Sequence, residues 1–229
     1  MSNFFYHILR LLGILFRYRG VGLEGLPPRG AALYVANHVG HIGPIQCILS
    51  LPVRFHPWVV AEMCDYRLAP AYLFADFVEP VLGLRGRFGQ AISAALSVVA
   101  VSLIRALQPI PVHKENGLFD RSIPHSIEFL RRGRSLLIFP EDPEQEGDPD
   151  TGIRPFGLGY CWVSYRYQEL GRTPLPVYPL TVVPSKRRVL VGEPLYLPLD
   201  MDPRQGLRPF CARVRQAILD TYRQTIAMP

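Results

Sequence analysis

Cysteine is scarce in this chain, and so is acid. Four cysteines occur, Cys47, Cys64, Cys161 and Cys211, widely spaced among apolar residues and without a C-x-x-C pair. That spacing excludes a disulfide framework or a thiolate zinc site and leaves buried, reduced thiols in a reducing compartment. No internal repeat is visible. No uninterrupted apolar run reaches the ~20 residues of a spanning helix. The nearest to one, "AISAALSVVAVSLIRAL" at 91–107, is broken by Ser93, Ser97, Ser102 and Arg105. Asp and Glu number 19 against 25 Lys and Arg, a formal charge of +6. A basic balance suits an anionic partner, whether nucleic acid, a lipid surface or a phosphorylated substrate. The bases neither form a stripe nor interleave with aromatics in a recognised module, which argues against nucleic acid.

What is present is apolar residues and proline. At 229 residues the chain is long enough for one well-cored domain. A hydrophobic share of 48% with 23 prolines argues against a long-helix bundle and for apolar surface left uncovered. The opening "MSNFFYHILRLLGILFRYRG" lacks the basic start and small-residue cleavage site of a secretory signal and is short for a span. On a helix, Phe5, Ile8, Leu12 and Leu15 share one side while His7, Arg10 and Arg17 gather on another. Residues 1–20 are therefore expected to form an amphipathic helix on a membrane surface, the alternative being a helix that caps the core, with one domain over 21–229. Segment 91–107 is expected to be a buried or interfacial helix, with Arg85 and Arg87 of "GLRGRFG" placed to meet lipid headgroups.

Strand-like and helix-like runs then alternate: "AALYVA", "HPWVVA", segment 91–107, "PIPV", "SIPHSIEFLRRG", "SLLIFP", "FGLGYCWVSYRYQEL", "LPVYPLTVV" and "RRVLVG". The alternation predicts an α/β fold, a mainly parallel or mixed central sheet flanked by helices. Phe210, Val214, Ile218 and Tyr222 recur at helical spacing, so a last helix is expected from about Gln205 to Thr225. The acid-, Pro- and Gly-rich "PEDPEQEGDPDTG" at 140–152 is a loop. In "YVANHVGHIGPIQ", His38 and His41 fall where a strand stops, and Gly43-Pro44 opens a helix. Ligands and chemistry collect at the carboxyl ends of strands in such sheets.

Four blocks, "NHVGHIG", "PIPVHK", "RRGRSLLIFPED" and "TPLPVYPLTVV", stand in the order and at about the distances of the four motifs of the glycerolipid acyltransferases. From about Val21 to about Pro194 the chain resembles this phospholipid/glycerol acyltransferase family. The resemblance implies transfer of a fatty acyl group from a thioester on coenzyme A or acyl carrier protein to a hydroxyl or amine. No cofactor would be held, the thioester being a co-substrate. His38 matches the family's general base. An alcohol attacks only as its proton leaves, and a near-neutral imidazole suits that task. Lys114 stands where the family usually has Arg, Glu141 falls in the acceptor-site block, and Pro176 and Pro179 lie in the fourth.

Two departures shape the expectations. The acid five residues after the histidine, which orients the imidazole as a triad acid does, is here Gly43; His41, or Asp142 or Glu141 from the third block, is the candidate to take its place. The Gly-Thr after "FPE", with its following Arg, is replaced by Asp142-Pro143, and the next cation near the loop is Arg154. An acidic loop disfavours a phosphate acceptor by repulsion, so a different lipid acceptor is expected. H-x-x-H could present two nitrogens to a metal, but no further cluster completes a site, and none is expected. The competing reading is a relative without catalysis that keeps the fold to bind lipid. Either way the expected place is the cytoplasmic face of a membrane, as a peripheral protein, with lipid and thioester as partners.

Overall fold

The computed structural model describes residues 13, 16–27, 30–113, 121–171, 173–199 and 201–228. The expected amphipathic helix over 1–20 lies mostly outside them. Where the chain is described, Arg19–Val21 is already a strand, β1. The expected 21–229 domain comprises two compact units, one over His56–Ser122 and one over Arg10–Phe55 with Ile123–Pro229.

The second unit holds a five-stranded sheet in the order β1, β7, β6, β2, β5. Its strands are β2 (Ala32–Ala36), β5 (Ser135–Ile138), β6 (Val177–Val183) and β7 (Arg188–Val191) beside β1. β1 runs parallel to β7, and β2 runs parallel to both β5 and β6. β6 and β7 form the antiparallel pair, joined through Arg187 at φ 48°. The sheet is thus mixed and mainly parallel, as the alternation predicts. β2 and β6 are buried along their whole lengths. That is why both read as unbroken apolar runs rather than alternating ones. Tyr34 of β2 stacks on Tyr178 of β6 with ring centroids 5.1 Å apart, and Phe55 meets it edge-on at 5.0 Å.

Helices flank this sheet: α1 (Ile42–Ser50), α4 (Ser122–Arg131), α5 (Gly159–Gly171) and α6 (Pro203–Ala227). Asp202 caps α6 by accepting from the Arg204 N–H at 2.9 Å, and Pro203 sits at the first helical position, where its missing donor costs nothing. Phe210, Val214, Ile218 and Leu219 of α6 are buried. Each such side chain contributes roughly 1.5–3 kcal/mol of burial energy. Phe210→Ala would break that face at a cost of roughly 3–5 kcal/mol.

In the first unit β3 (Phe55–Val60) pairs in parallel with β4 (Ile110–Val112). Between them lie α2 (Ala69–Leu73), which widens into a π turn over Phe74–Val78, and α3 (Gly86–Ala106). α3 starts five residues before the expected 91, because Gly86 takes φ 61° and lets the chain turn into the helix. Arg87 therefore belongs to the helix, and Arg85 occupies its N-cap position without a side-chain capping bond. At 21 residues α3 is long and apolar enough to cross a membrane by length and composition, where the shorter 91–107 segment falls short.

The burial of α3 is inverted. Its covered stripe is Gly89, Ser93, Ser97 and Val101, and Ser93 Oγ donates to the Pro70 carbonyl at 2.7 Å. A Cβ at Gly89 would lie 2.4 Å from the Leu84 carbonyl oxygen, so only glycine permits that approach. The bulky residues face outward: Phe88 is 66% exposed, Val98 56% and Val99 59%. Cys47, Cys161 and Cys211 are buried free thiols as expected, whereas Cys64 is half-buried.

Candidate active site

The site begins where β2 stops. Asn37 follows Ala36 and is buried, so its amide requires partners. It finds both on one residue of the neighbouring strand: Nδ2 donates to the Val182 carbonyl at 3.0 Å and Oδ1 accepts the Val182 N–H at 2.7 Å. A side chain thereby continues the β2–β6 ladder by one step while the main chain turns away. His38 emerges at that turn, exposed, at the carboxyl end of a central strand.

A backbone bond and a ring contact hold His38. Its backbone N–H donates to Glu141 Oε1 at 2.5 Å. Its ring meets the Phe139 ring edge-on, centroids 5.3 Å apart at 84°. Phe139 and Glu141 both follow β5, the parallel neighbour of β2, so adjacent strand ends deliver the two motifs to one place.

Glu141 uses its second oxygen as well: Oε2 accepts the Arg154 N–H at 2.9 Å. The carboxylate expected to contact the acceptor thus clasps two backbone amides 116 residues apart in sequence, one in the first motif and one just beyond the acidic loop. Burial raises the Glu141 carboxyl above the ordinary glutamate range; the N–H groups of Arg154 and His38 and the charges of Arg154 and Arg215 oppose that rise.

Asp142 sits differently. Its Oδ2 accepts from Gln145 Nε2 at 2.7 Å and its Oδ1 from the Glu144 N–H at 3.1 Å. These bonds close its own turn and hold its carboxyl below the usual range, with help from the Arg154 charge. Both of its oxygens serve the loop. His41 occupies the N-cap position of α1 with helical backbone, φ −75° and ψ −15°, and its side chain makes no capping bond. Both histidines flank the turn expected from the sequence. Arg154 is exposed, and its charge favours the ionised forms of Glu141 and Asp142, which places a cation at the mouth of the acidic loop. Lys114 lies outside the described residues.

Gly43 is buried in the first turn of α1. A Cβ built there would sit 3.4 Å from the Asn37 carbonyl oxygen and 3.8 Å from the His38 carbonyl carbon, ordinary contact distances. Space and backbone both admit a Cβ there, next to the His38 main chain. Among the described residues no group of three or more His, Cys, Asp or Glu is placed to hold a metal.

Three residues at this site escape the sequence reading. Asn37 left a signal, a polar residue directly after a fully apolar strand. Phe139, inside the quoted "LIFPED", left one only once His38 is taken as the centre. Arg215 left none, since it acts across 61 residues from α6.

A mixed, mainly parallel sheet with helices on its faces, and a histidine at a central strand's carboxyl end, define the α/β class. No family model matches the chain, and no curated protein matches it. Among solved structures, it is similar to the 1-acyl-sn-glycerophosphate (LPA) acyltransferase PlsC from Thermotoga maritima. The TM-score is 0.60 at 16% identity, over 100% of this chain and 82% of that one. The likeness is one of fold.

Proposed function

We propose that the protein transfers a fatty acyl group from a coenzyme A or acyl carrier protein thioester to a lipid acceptor, with His38 as general base. The observation that carries this reading is the fixing of His38 at the end of β2 by Asn37, Glu141 and Phe139. The acceptor oxygen or nitrogen attacks the thioester carbonyl as its proton passes to the imidazole. The tetrahedral adduct then expels the thiolate, which takes the proton from the imidazolium, and His38 returns to its starting form. Acceptors without phosphate fit best, because Asp142, Glu144 and Glu146 crowd the loop beside Arg154. The direct test is thioester consumption by purified protein, with both carriers, across lipid alcohols, amines and phosphate esters.

A second reading, a lipid-binding protein without catalysis, is favoured by Gly43, where a Cβ meets only ordinary contacts and yet no acid stands. Saturable lipid binding with no thioester consumption would select it.

For location we propose peripheral docking on a cytoplasmic membrane face. The outward Phe88, Val98 and Val99 of α3 would enter the acyl boundary beside Arg85, whose side chain is 83% exposed and only 3.8 Å from Glu79. Such an exposed ion pair is weak enough to yield to a headgroup phosphate.

A further inference from the structure

We propose that Arg215, on α6, is a positioning residue for His38, acting through the peptide between Ile153 and Arg154 and the Glu141 carboxylate; this rests on the reading of His38 as the base. Arg215 is half-buried and forks onto two successive carbonyls: Nε donates to the Arg154 carbonyl at 3.0 Å and an Nη to the Ile153 carbonyl at 2.9 Å. A trans peptide is a rigid plane with its C=O and N–H pointing opposite ways. Fixing the Ile153 carbonyl from one side therefore aims the Arg154 N–H at the other, where Glu141 Oε2 accepts it. The remaining Glu141 oxygen accepts the His38 N–H. A guanidinium on the last helix thus sets the backbone that carries the imidazole, through one peptide plane and one carboxylate.

Charge works in the same direction. A clasp on two N–H donors needs the carboxylate form, because a protonated carboxyl offers one of its oxygens as a donor. Burial favours protonation of Glu141, and the Arg215 charge is among the influences opposing it. The fork also suits arginine in particular: lysine keeps the charge but cannot hold two carbonyls with planar geometry. A separate tether secures the same loop, since Arg223, eight residues along α6, pairs with Asp148 at 2.7 Å. Asp148 reaches the same peptide, its N–H donating to the Ile153 carbonyl at 3.0 Å, so Arg223→Met measures what loop tethering contributes without the guanidinium fork.

The test uses full-length Arg215→Met, Arg215→Lys and Arg223→Met, each checked for folding by thermal melt. Backbone amide exchange at His38 and Arg154 is measured together with the pH profile of thioester consumption. Arg215→Met is expected to speed exchange at both amides, to lower turnover about tenfold or more, and to move the acid limb of the profile to higher pH. Arg215→Lys should speed exchange and leave the limb nearer its original place, while Arg223→Met should leave the limb unmoved. Arg215→Met should also cost little further in a Glu141→Gln background, since both break one clasp. Unchanged exchange at His38 in Arg215→Met, or costs that simply add in the double variant, overturns the proposal. If Arg215→Met does not fold, Arg215→Lys decides by the same exchange measurement. Turnover that survives His38→Ala, or is absent from the wild type, refutes the general-base reading and leaves the exchange measurement to judge Arg215 alone.

Discussion

Glu141 accepts the backbone N–H of His38 with one oxygen and that of Arg154 with the other, so the carboxylate works as a clasp between the end of β2 and the segment after the acidic loop. Glutamine cannot replace it fully, because its amide offers one acceptor oxygen and turns a donor toward the second N–H. Glu141→Gln should cost roughly 0.5–1.5 kcal/mol, the net worth of one hydrogen bond to an exposed amide. The sign of the pH effect follows from the raised carboxyl. A carboxyl that binds its proton more tightly when folded contributes stability that is full below its unfolded pKa, about 4.3, and lost as pH rises through the folded value. Denaturant titrations across that acid range should show this slope in the wild type and its absence in the Gln variant. Parallel pH curves for the two would count against the assignment.

Asn37 predicts a larger loss. Asn37→Ala leaves the Val182 N–H and carbonyl without their side-chain partners in a buried setting. Two orphaned groups put the cost at roughly 2–6 kcal/mol. Asn37→Asp would keep the acceptor for the N–H and set a charge against the carbonyl, so it should not rescue. Urea midpoints at constant m-value measure both, and a rescue by Asp would contradict the two-bond account.

Gly43 offers a gain rather than a loss. Gly43→Asp places a carboxylate at the start of α1, where the helix dipole favours it and a Cβ finds ordinary contacts next to His38. If orientation of the imidazole limits a slow enzyme, turnover should rise, and only while His38 is present. If another group already orients the ring, the variant should be neutral or slower. A rise that persists in the His38→Ala background would contradict any link between the two positions.

The acidic loop sets acceptor choice in this account. Asp142→Gly with Glu144→Arg removes two negative charges and adds a phosphate partner. The ratio of lysophosphatidate to uncharged-acceptor turnover should rise several-fold. Robust use of lysophosphatidate by the wild type would already sink the idea.

Docking through α3 predicts that Val98→Asp with Val99→Asp reduces flotation with anionic vesicles, while alkaline carbonate releases the wild-type chain from membranes. Resistance to carbonate would mean that α3, which has the length, crosses the bilayer.

The strands were legible because burial on both faces writes itself as an apolar run: "AALYVA" is β2 with one residue to spare, and "LPVYPLTVV" contains β6. The last helix lies within two residues of its expected ends, marked by its 3.6-residue period. α3 was readable as a helix, yet not in its start or its facing, since a covered stripe of Gly and Ser gives no hydrophobic signal. At the site, the ordered motifs bring His38 and Glu141 together. What joins them is a side chain on a backbone amide 103 residues away, and such contacts follow no period. The same holds for the Arg215 fork, and for Asp142, whose turn bonds depend on a local geometry that composition alone does not fix.

The measurement that bears most directly on the central claim is acyl transfer by purified wild type and His38→Ala, compared with a thioester donor and the best lipid acceptor found. A general base is worth about 10²- to 10⁴-fold, so His38→Ala should fall by that factor with its melting curve unchanged, the exposed side chain contributing little packing. Equal turnover in the two proteins, or none in the wild type across the whole acceptor panel, would contradict the account.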